Sequence, residues 1–448
     1  MINLNFYKYK FNIELVWVIF GQFAIFTGNL LSIKFLTNIM YTQDYGKLTL
    51  SLTFSSLVNM FVYGPINNYV IRFYPVFKER ERVQRYFYIL FRIVMIISVF
   101  ILSMVLIVFI TLWILHIFEW SLIVSFALLF SIVAGMNSVL IAIYSALRNQ
   151  KLASIVRLLD IWIRLFLAVL LLILYKDKFE NAALVLIGYI AGSICLLFVQ
   201  SLIIFNNFES LSNYNISIQG DEVSEFRELF MFIQPFIAWA GLQFASLYGD
   251  RWVINFAFGA NLVGIYVAIY QIASVPVTLI FGSISTYISP VLFNEVGSAS
   301  SLYKFVKSIG ILNKTALYSI LIFIPIVFFC VFEGRFVLNI TTSKEYSQYG
   351  YTLWVIVLAL VFFQLGQTLS LVGTLLRKNS KYLPAYMLNV LVSIPLCYFL
   401  GRTHGISGIT WAILLSNFLY LLEVLRTNSI LYRKHKRNLL KIVATARN

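Results

Sequence analysis

Residues 86–112 read YFYILFRIVMIISVFILSMVLIVFITL. Apart from Arg92 the run carries no charge, and it exceeds the roughly 20 apolar residues an α-helix needs to cross a bilayer core. A surface helix of a soluble protein keeps one polar face. Here apolar side chains occupy every face, so the run demands lipid around it.

Comparable runs flank it on both sides. They predict spans at 13–37, 47–71, 120–146, 154–175 and 182–205, then 230–254, 263–288, 309–333, 350–376, 383–400 and 406–430. With 86–112 this makes about twelve transmembrane helices in an all-α integral membrane protein. The run 383–400, which contains Pro384 and Pro395, is the weakest of them. The composition agrees, because 60% of the 448 residues are hydrophobic and 12% are charged. A soluble surface normally needs about a quarter charged residues.

A net charge of +16 raises the question of nucleic acid. A nucleic-acid domain gathers Lys and Arg on one polar face. In this chain they cluster at the ends of apolar runs, as in Arg72–Arg85, Arg377–Lys381 and Arg433–Lys441, which is the signature of membrane topology. The inner loops then receive Lys8, Lys10, Arg72, Arg80, Arg82, Arg85, Arg148, Lys151, Arg377, Lys378 and Lys381, whereas the outer ones receive Lys47, Lys176, Lys178, Arg335, Lys344 and Arg402. Both termini are therefore expected in the cytoplasm, and the chain in the cytoplasmic membrane. Trp113 and Trp120 bracket a short turn at the expected outer headgroup level. Lys8 and Lys10 before an apolar run resemble a signal peptide, but the run from Ile13 is too long for one, and it reads as the first span.

Cys195, Cys330 and Cys397 lie singly in apolar runs, and His116, His404 and His435 lie far apart in sequence. This spacing predicts no disulfide framework, no metal site and no cofactor. The polar stretch from Asn206 to Glu228 divides the chain into a six-helix bundle at 1–205, a cytoplasmic linker at 206–229, a second bundle at 230–432 and a basic tail at 433–448.

An internal repeat supports two halves. DYGKLTLSLTFSSLVNMFVYGPINNY from Asp44 aligns without gaps on LVGIYVAIYQIASVPVTLIFGSISTY from Leu262. Gly46 meets Gly264, Ser56 meets Ser274, Gly64 meets Gly282 and Tyr69 meets Tyr287, all at an offset of 218. An even number of spans separates the copies, so they enter the membrane in the same direction as parallel repeats.

The run FLTNIMYTQDYGKLTLSLTFSSLVNMFVYGPINNYVIRF resembles the start of the polysaccharide-export branch of the multidrug/oligosaccharidyl-lipid/polysaccharide (MOP) superfamily. The shared features are the Asp44-Tyr45-Gly46 turn and Arg72. In the second half, Asp250-Arg251 followed by Val263-Gly264-Ile265-Tyr266 resembles the same branch, and Phe336 to Gly350 resembles its outer loop before the tenth span. The resemblance implies a fold like that of the multidrug exporters. It further implies a Wzx-type flippase of undecaprenyl-diphosphate-linked O-antigen or capsule units. Its working partners would be the lipid-linked oligosaccharide, membrane lipids, and polysaccharide polymerase and assembly proteins. The runner-up is a cation-coupled drug exporter of the same superfamily. A polymerase or ligase is a more distant alternative, for which no GxSxG, HExxH, P-loop or large outer domain is present.

Charges within the spans test these readings, because an ionisable group there is costly and usually faces protein or a wet cavity. Lys34 and Arg251 are almost related by the repeat, since Arg251 falls on position 33. As a pair of cavity cations they would suit a diphosphate; as headgroup anchors they would snorkel. Asp160 and Arg164 lie four apart and can pair structurally, with Arg164 a third cavity cation if its helix lines the cavity. Asp250 and Asp160 are the candidates for coupling or charge pairing. Asn29, Asn67, Asn68, Gln243 and Gln271 are candidates for sugar contacts. Cations outnumber carboxylates in the spans, which favours an anionic substrate over an organic cation.

Overall fold

The computed structural model describes residues 4–79, 83–147, 149–176, 178–208, 222–296, 302–376 and 378–445. Secondary structure is helical throughout these residues. Contacts divide the chain into two compact units, Met1–Gly241 and Leu242–Asn448. The linker expected at 206–229 lies in large part outside the described residues.

The first unit holds α1 (Leu4–Ile39), α2 (Thr42–Val58), α3 (Gly64–Glu79), α4 (Val83–Ile114), α5 (Phe118–Ala146), α6 (Gln150–Tyr175) and α7 (Asn181–Phe208). The start of α8 (Glu222–Phe258) also belongs to it. The charge-poor run 86–112 lies within α4. It turns into α5 through His116, which takes the left-handed φ of +59°.

The span expected at 47–71 is interrupted. A π-helical turn at Asn59–Tyr63 joins α2 to α3, and the Gly64 amide donates to the Asn59 carbonyl five residues back. Pro65 supplies the physical reason, since it has no N–H for the Phe61 carbonyl and its ring crowds the preceding turn. Beyond the turn, α3 and α4 meet through an aromatic cluster. The Tyr86 ring lies 4.9 Å from Phe77 and 6.0 Å from Tyr69.

α6 packs along both α1 and α7. Glycines set the closeness of the α6–α7 crossing. A Cβ at Gly188 would stand 2.6 Å from Ala168 Cα, and one at Gly192 would stand 2.9 Å from Arg164 Cα. This is the small-xxx-small device that lets membrane helices approach backbone to backbone.

The second unit holds the rest of α8, then α9 (Ala260–Val296), α10 (Leu302–Thr341), the single turn α11 (Lys344–Ser347), α12 (Leu353–Leu369), the short α13 (Leu371–Leu375) and α14 (Leu383–Thr445). α14 is two helices joined at Gly405, whose φ of +59° and ψ of −138° are non-helical. That conformation is open to glycine and strained for other residues. α12 packs against α14 and α9. At its centre Tyr420 sits 5.0 Å from Phe363 and 5.2 Å from Tyr386, ring to ring.

The stretch expected as a loop at 334–349 is corrected, because α10 continues through Thr341. Its residues Phe336 to Ile340 are apolar apart from Asn339 and extend the helix. The start of α9 bears on the repeat. It begins at Ala260 and α2 begins at Thr42, again the offset of 218. Gly46 and Gly264, buried one turn in, thus occupy the same register of their helices.

Eight stretches among the described residues are long and apolar enough to cross a membrane. One of them, Asn379–Arg437, contains the Gly405 break. The protein is a multi-pass integral membrane protein with an all-helical fold.

Candidate functional site

Arg251 lies on α8 and is 8% exposed; its neighbour Asp250 is 7% exposed. The Asp250 carboxylate is held by two donors, the Arg251 backbone amide at 2.8 Å and the hydroxyl of Tyr266 on α9. The guanidinium rests over aromatic faces instead. It is 4.8 Å from the Tyr248 ring centroid and 5.4 Å from that of Tyr270. Rings at this distance attract a cation through their quadrupole. The Arg251 Nε–H finds no hydrogen-bond partner among the described residues. The site thus holds a buried cation by its faces, with an Nε–H that is itself buried and unpartnered among the described residues.

Beside it a small polar cleft opens within the second unit. Its lining includes Asp250, Tyr270, Ser246, Asn389, Ser416 and Asn417, though not Arg251 itself. The amides form a chain in which Ser246 donates to Asn389, Asn389 donates to Asn417 at 2.9 Å, and Asn417 donates to the Ala359 carbonyl at 3.0 Å. Each amide oxygen named is already engaged by its neighbour. Among the described residues no group of three or more His, Cys, Asp or Glu could hold a metal ion.

In the first unit, Asp160 and Arg164 form the ion pair expected from their spacing. Arg164 also donates from Nε to the Asp160 carbonyl at 2.9 Å, and its guanidinium lies 5.4 Å from the Phe130 ring. Its groups are spent inside the unit, so the geometry favours structural pairing over a third cavity cation. A double-mutant cycle tests this. Arg164→Met alone should cost about 3 kcal/mol by stranding the carboxylate, and adding Asp160→Leu should recover most of the loss. Detergent melting curves read both; additive losses would refute the pairing.

Lys34 is half-buried on α1. Lys34 and Arg251 belong to different units, so their pairing stays a proposal. Of the sugar candidates, Asn67 is half-buried and donates to Ser138 at 3.1 Å, with its Oδ1 unpartnered among the described residues. Asn29 and Asn68 are exposed, and Gln243 and Gln271 are half-buried.

Sequence reasoning missed several groups. Tyr248, Tyr266 and Tyr270 read as ordinary aromatics of an apolar run. The solitary Asn389 and Asn417 carried a usable signal, because a lone amide in a span must find a partner. Also missed was a cluster at one end of the first unit, where Lys47 bridges Glu119 at 2.6 Å and Glu180 at 3.0 Å. Burial raises the Glu180 carboxyl above its ordinary range, against the pull of Lys47. Asn181 donates to Asp44 at 2.8 Å beside it, so the acidic turn before Tyr45-Gly46 ties α2 to α7.

Comparison with curated proteins by sequence gives no significant match. Among solved structures, the fold is similar to the lipid II flippase MurJ in an inward closed conformation. The TM-score is 0.66 at 15% identity, over 97% of this chain and 92% of that one. A MOP superfamily transporter from Pyrococcus furiosus gives 0.64 at 11% identity, over 96% and 95%. An inward-facing multidrug resistance MATE family transporter of the MOP superfamily gives 0.63 at 12% identity, over 96% of each chain. At these identities the likeness speaks for the fold. A profile described as polysaccharide biosynthesis protein matches residues 15–295, well over half the chain. The chain therefore belongs to the polysaccharide biosynthesis protein family, with a fold like that of MurJ and the MOP superfamily transporters.

Proposed function

We propose that this protein flips an undecaprenyl-diphosphate-linked oligosaccharide, an O-antigen, capsule or similar repeat unit, across the cytoplasmic membrane by alternating access. The reading takes the chain as twelve spans in two parallel six-helix halves, with both termini in the cytoplasm. Its working partners are polysaccharide polymerase and assembly proteins.

The observation that carries it is the buried Arg251 guanidinium, supported by the Tyr248 and Tyr270 rings, with its buried Nε–H unpartnered among the described residues. An anionic headgroup completes such a site, whereas an organic cation does not. A drug exporter would instead need a free buried carboxylate. Asp250 lines the cleft, but both its oxygens already accept hydrogen bonds. Lys34 is the proposed counterpart cation in the first half, and Asn67, Asn29, Asn68, Gln243 and Gln271 are proposed contacts for sugar hydroxyls.

Depletion in a strain that depends on this gene should make the lipid-linked oligosaccharide accumulate on the cytoplasmic leaflet while surface polymer disappears. Raised drug susceptibility with intact polymer would point to the exporter instead. Reporter fusions after Lys151, Lys381 and the C-terminus should read cytoplasm, and fusions near Glu119, Lys178 and Lys344 should read the outer side. An outer report at the C-terminus would refute the even span count.

A further inference from the structure

We infer that Tyr266 is a positioning residue that holds the Asp250 carboxylate away from the Arg251 guanidinium and so keeps that cation available to an anionic ligand. The inference rests on Arg251 being an anion-binding residue, as proposed above.

Adjacent Asp and Arg in a buried setting would ordinarily neutralise one another, since each charge is costly without a partner. Here the carboxylate has other obligations. One oxygen accepts from the Arg251 backbone amide and the other from the Tyr266 hydroxyl. Tyr266 is fully buried and reaches Asp250 from a different helix, α9, so its hydroxyl sets where the carboxylate points. The guanidinium makes no ion pair with the carboxylate within 4 Å among the described residues; it leans on Tyr248 and Tyr270 and keeps its Nε–H unpartnered there.

The repeat supplies an internal control. At the offset of 218, Asp250 corresponds to Ser32 and Tyr266 to Leu48. The half that lacks the acid also lacks the hydroxyl, as expected if the tyrosine is there to hold that acid. The arrangement also accounts for the spacing in the sequence, where Asp250-Arg251 precedes Val263-Gly264-Ile265-Tyr266. The chain turns from α8 into α9 at Gly259, whose φ is +83°, and Tyr266 on α9 then reaches the carboxylate.

Binding of radiolabelled farnesyl diphosphate to the full chain in lipid nanodiscs tests the inference. Tyr266→Phe removes only the hydroxyl and frees Asp250 to take the guanidinium. Affinity should then fall about tenfold, the size of one charge-assisted hydrogen bond. Asp250→Asn in the Tyr266→Phe background should restore affinity to near wild type, because the amide cannot neutralise Arg251. Asp250→Asn alone should bind at least as tightly as wild type, and it decides the matter if Tyr266→Phe fails to fold. Wild-type binding by Tyr266→Phe, a double variant as weak as the single, or weakened binding by Asp250→Asn alone would each overturn the inference. Arg251→Ala is the separate control. Undiminished binding there would sink the anion site itself, whatever Tyr266 does.

Discussion

Replacing Arg251 with alanine should cut surface polymer about a hundredfold in a strain that depends on this chain, the loss expected if its guanidinium makes the proposed phosphate contact. Arg251→Lys should fail to rescue fully despite keeping the charge. An ammonium cannot reproduce the planar fork or rest as a plate over the Tyr248 and Tyr270 rings. Arg251→Glu should be worst, since it sets a second carboxylate beside Asp250 and against the proposed diphosphate. Misfolding is the competing explanation for any loss. It is limited here because Asp250 keeps the Tyr266 hydroxyl and a backbone amide when the guanidinium goes. Protein level and detergent melting temperature, measured beside polymer, separate the two. Full polymer from a well-expressed Arg251→Ala protein would remove the cationic site.

The second large effect concerns the fold alone. Gly188→Val should destabilise the first unit by about 3 kcal/mol, because the new Cβ is driven into backbone that cannot retreat. The neighbours are Ala168 Cα at 2.6 Å and Ala168 N at 2.7 Å. α6 and α7 would have to separate, and without a hydrophobic drive between lipid-soaked helices little else holds them. Gly188→Ala should act in the same direction with smaller size. Unchanged melting of the valine variant would mean that the crossing is looser than the backbone contact implies.

Much of the architecture was legible because its causes are local. Apolar length marks the runs that become α4, α5 and α7, and the offset of Gly46 from Gly264 marks helices that begin at matching positions. The Asp160–Arg164 pair followed from helical spacing alone. What sequence hid depends on distant partners. Nothing near Tyr266 announces that its hydroxyl meets a carboxylate sixteen positions back on another helix. The bridge from Lys47 to Glu119 and Glu180 likewise joins three turns far apart in the chain. The π turn failed to register because Pro65 reads equally well as a kink, a break or a tolerated guest. The helical continuation to Thr341 was missed because Gly334 and Arg335 look like loop residues.

That π turn has a consequence for how far the two halves can be twins. The alignment at 218 runs without a gap from Gly46 to Tyr69, straight across 59–63. Its counterpart, α9, stays α-helical from Ala260 to Val296. A π turn takes up one more residue than an α turn, so every side chain beyond it is rotated by about 100°. Letters that match after Asn59, such as Gly64 and Gly282, therefore face different directions around their helices, while those before it, such as Gly46 and Gly264, still correspond. The turn thus changes how the copies line their helices over and above the many positions at which their letters differ. One backbone dislocation is enough to break the internal symmetry of the two copies.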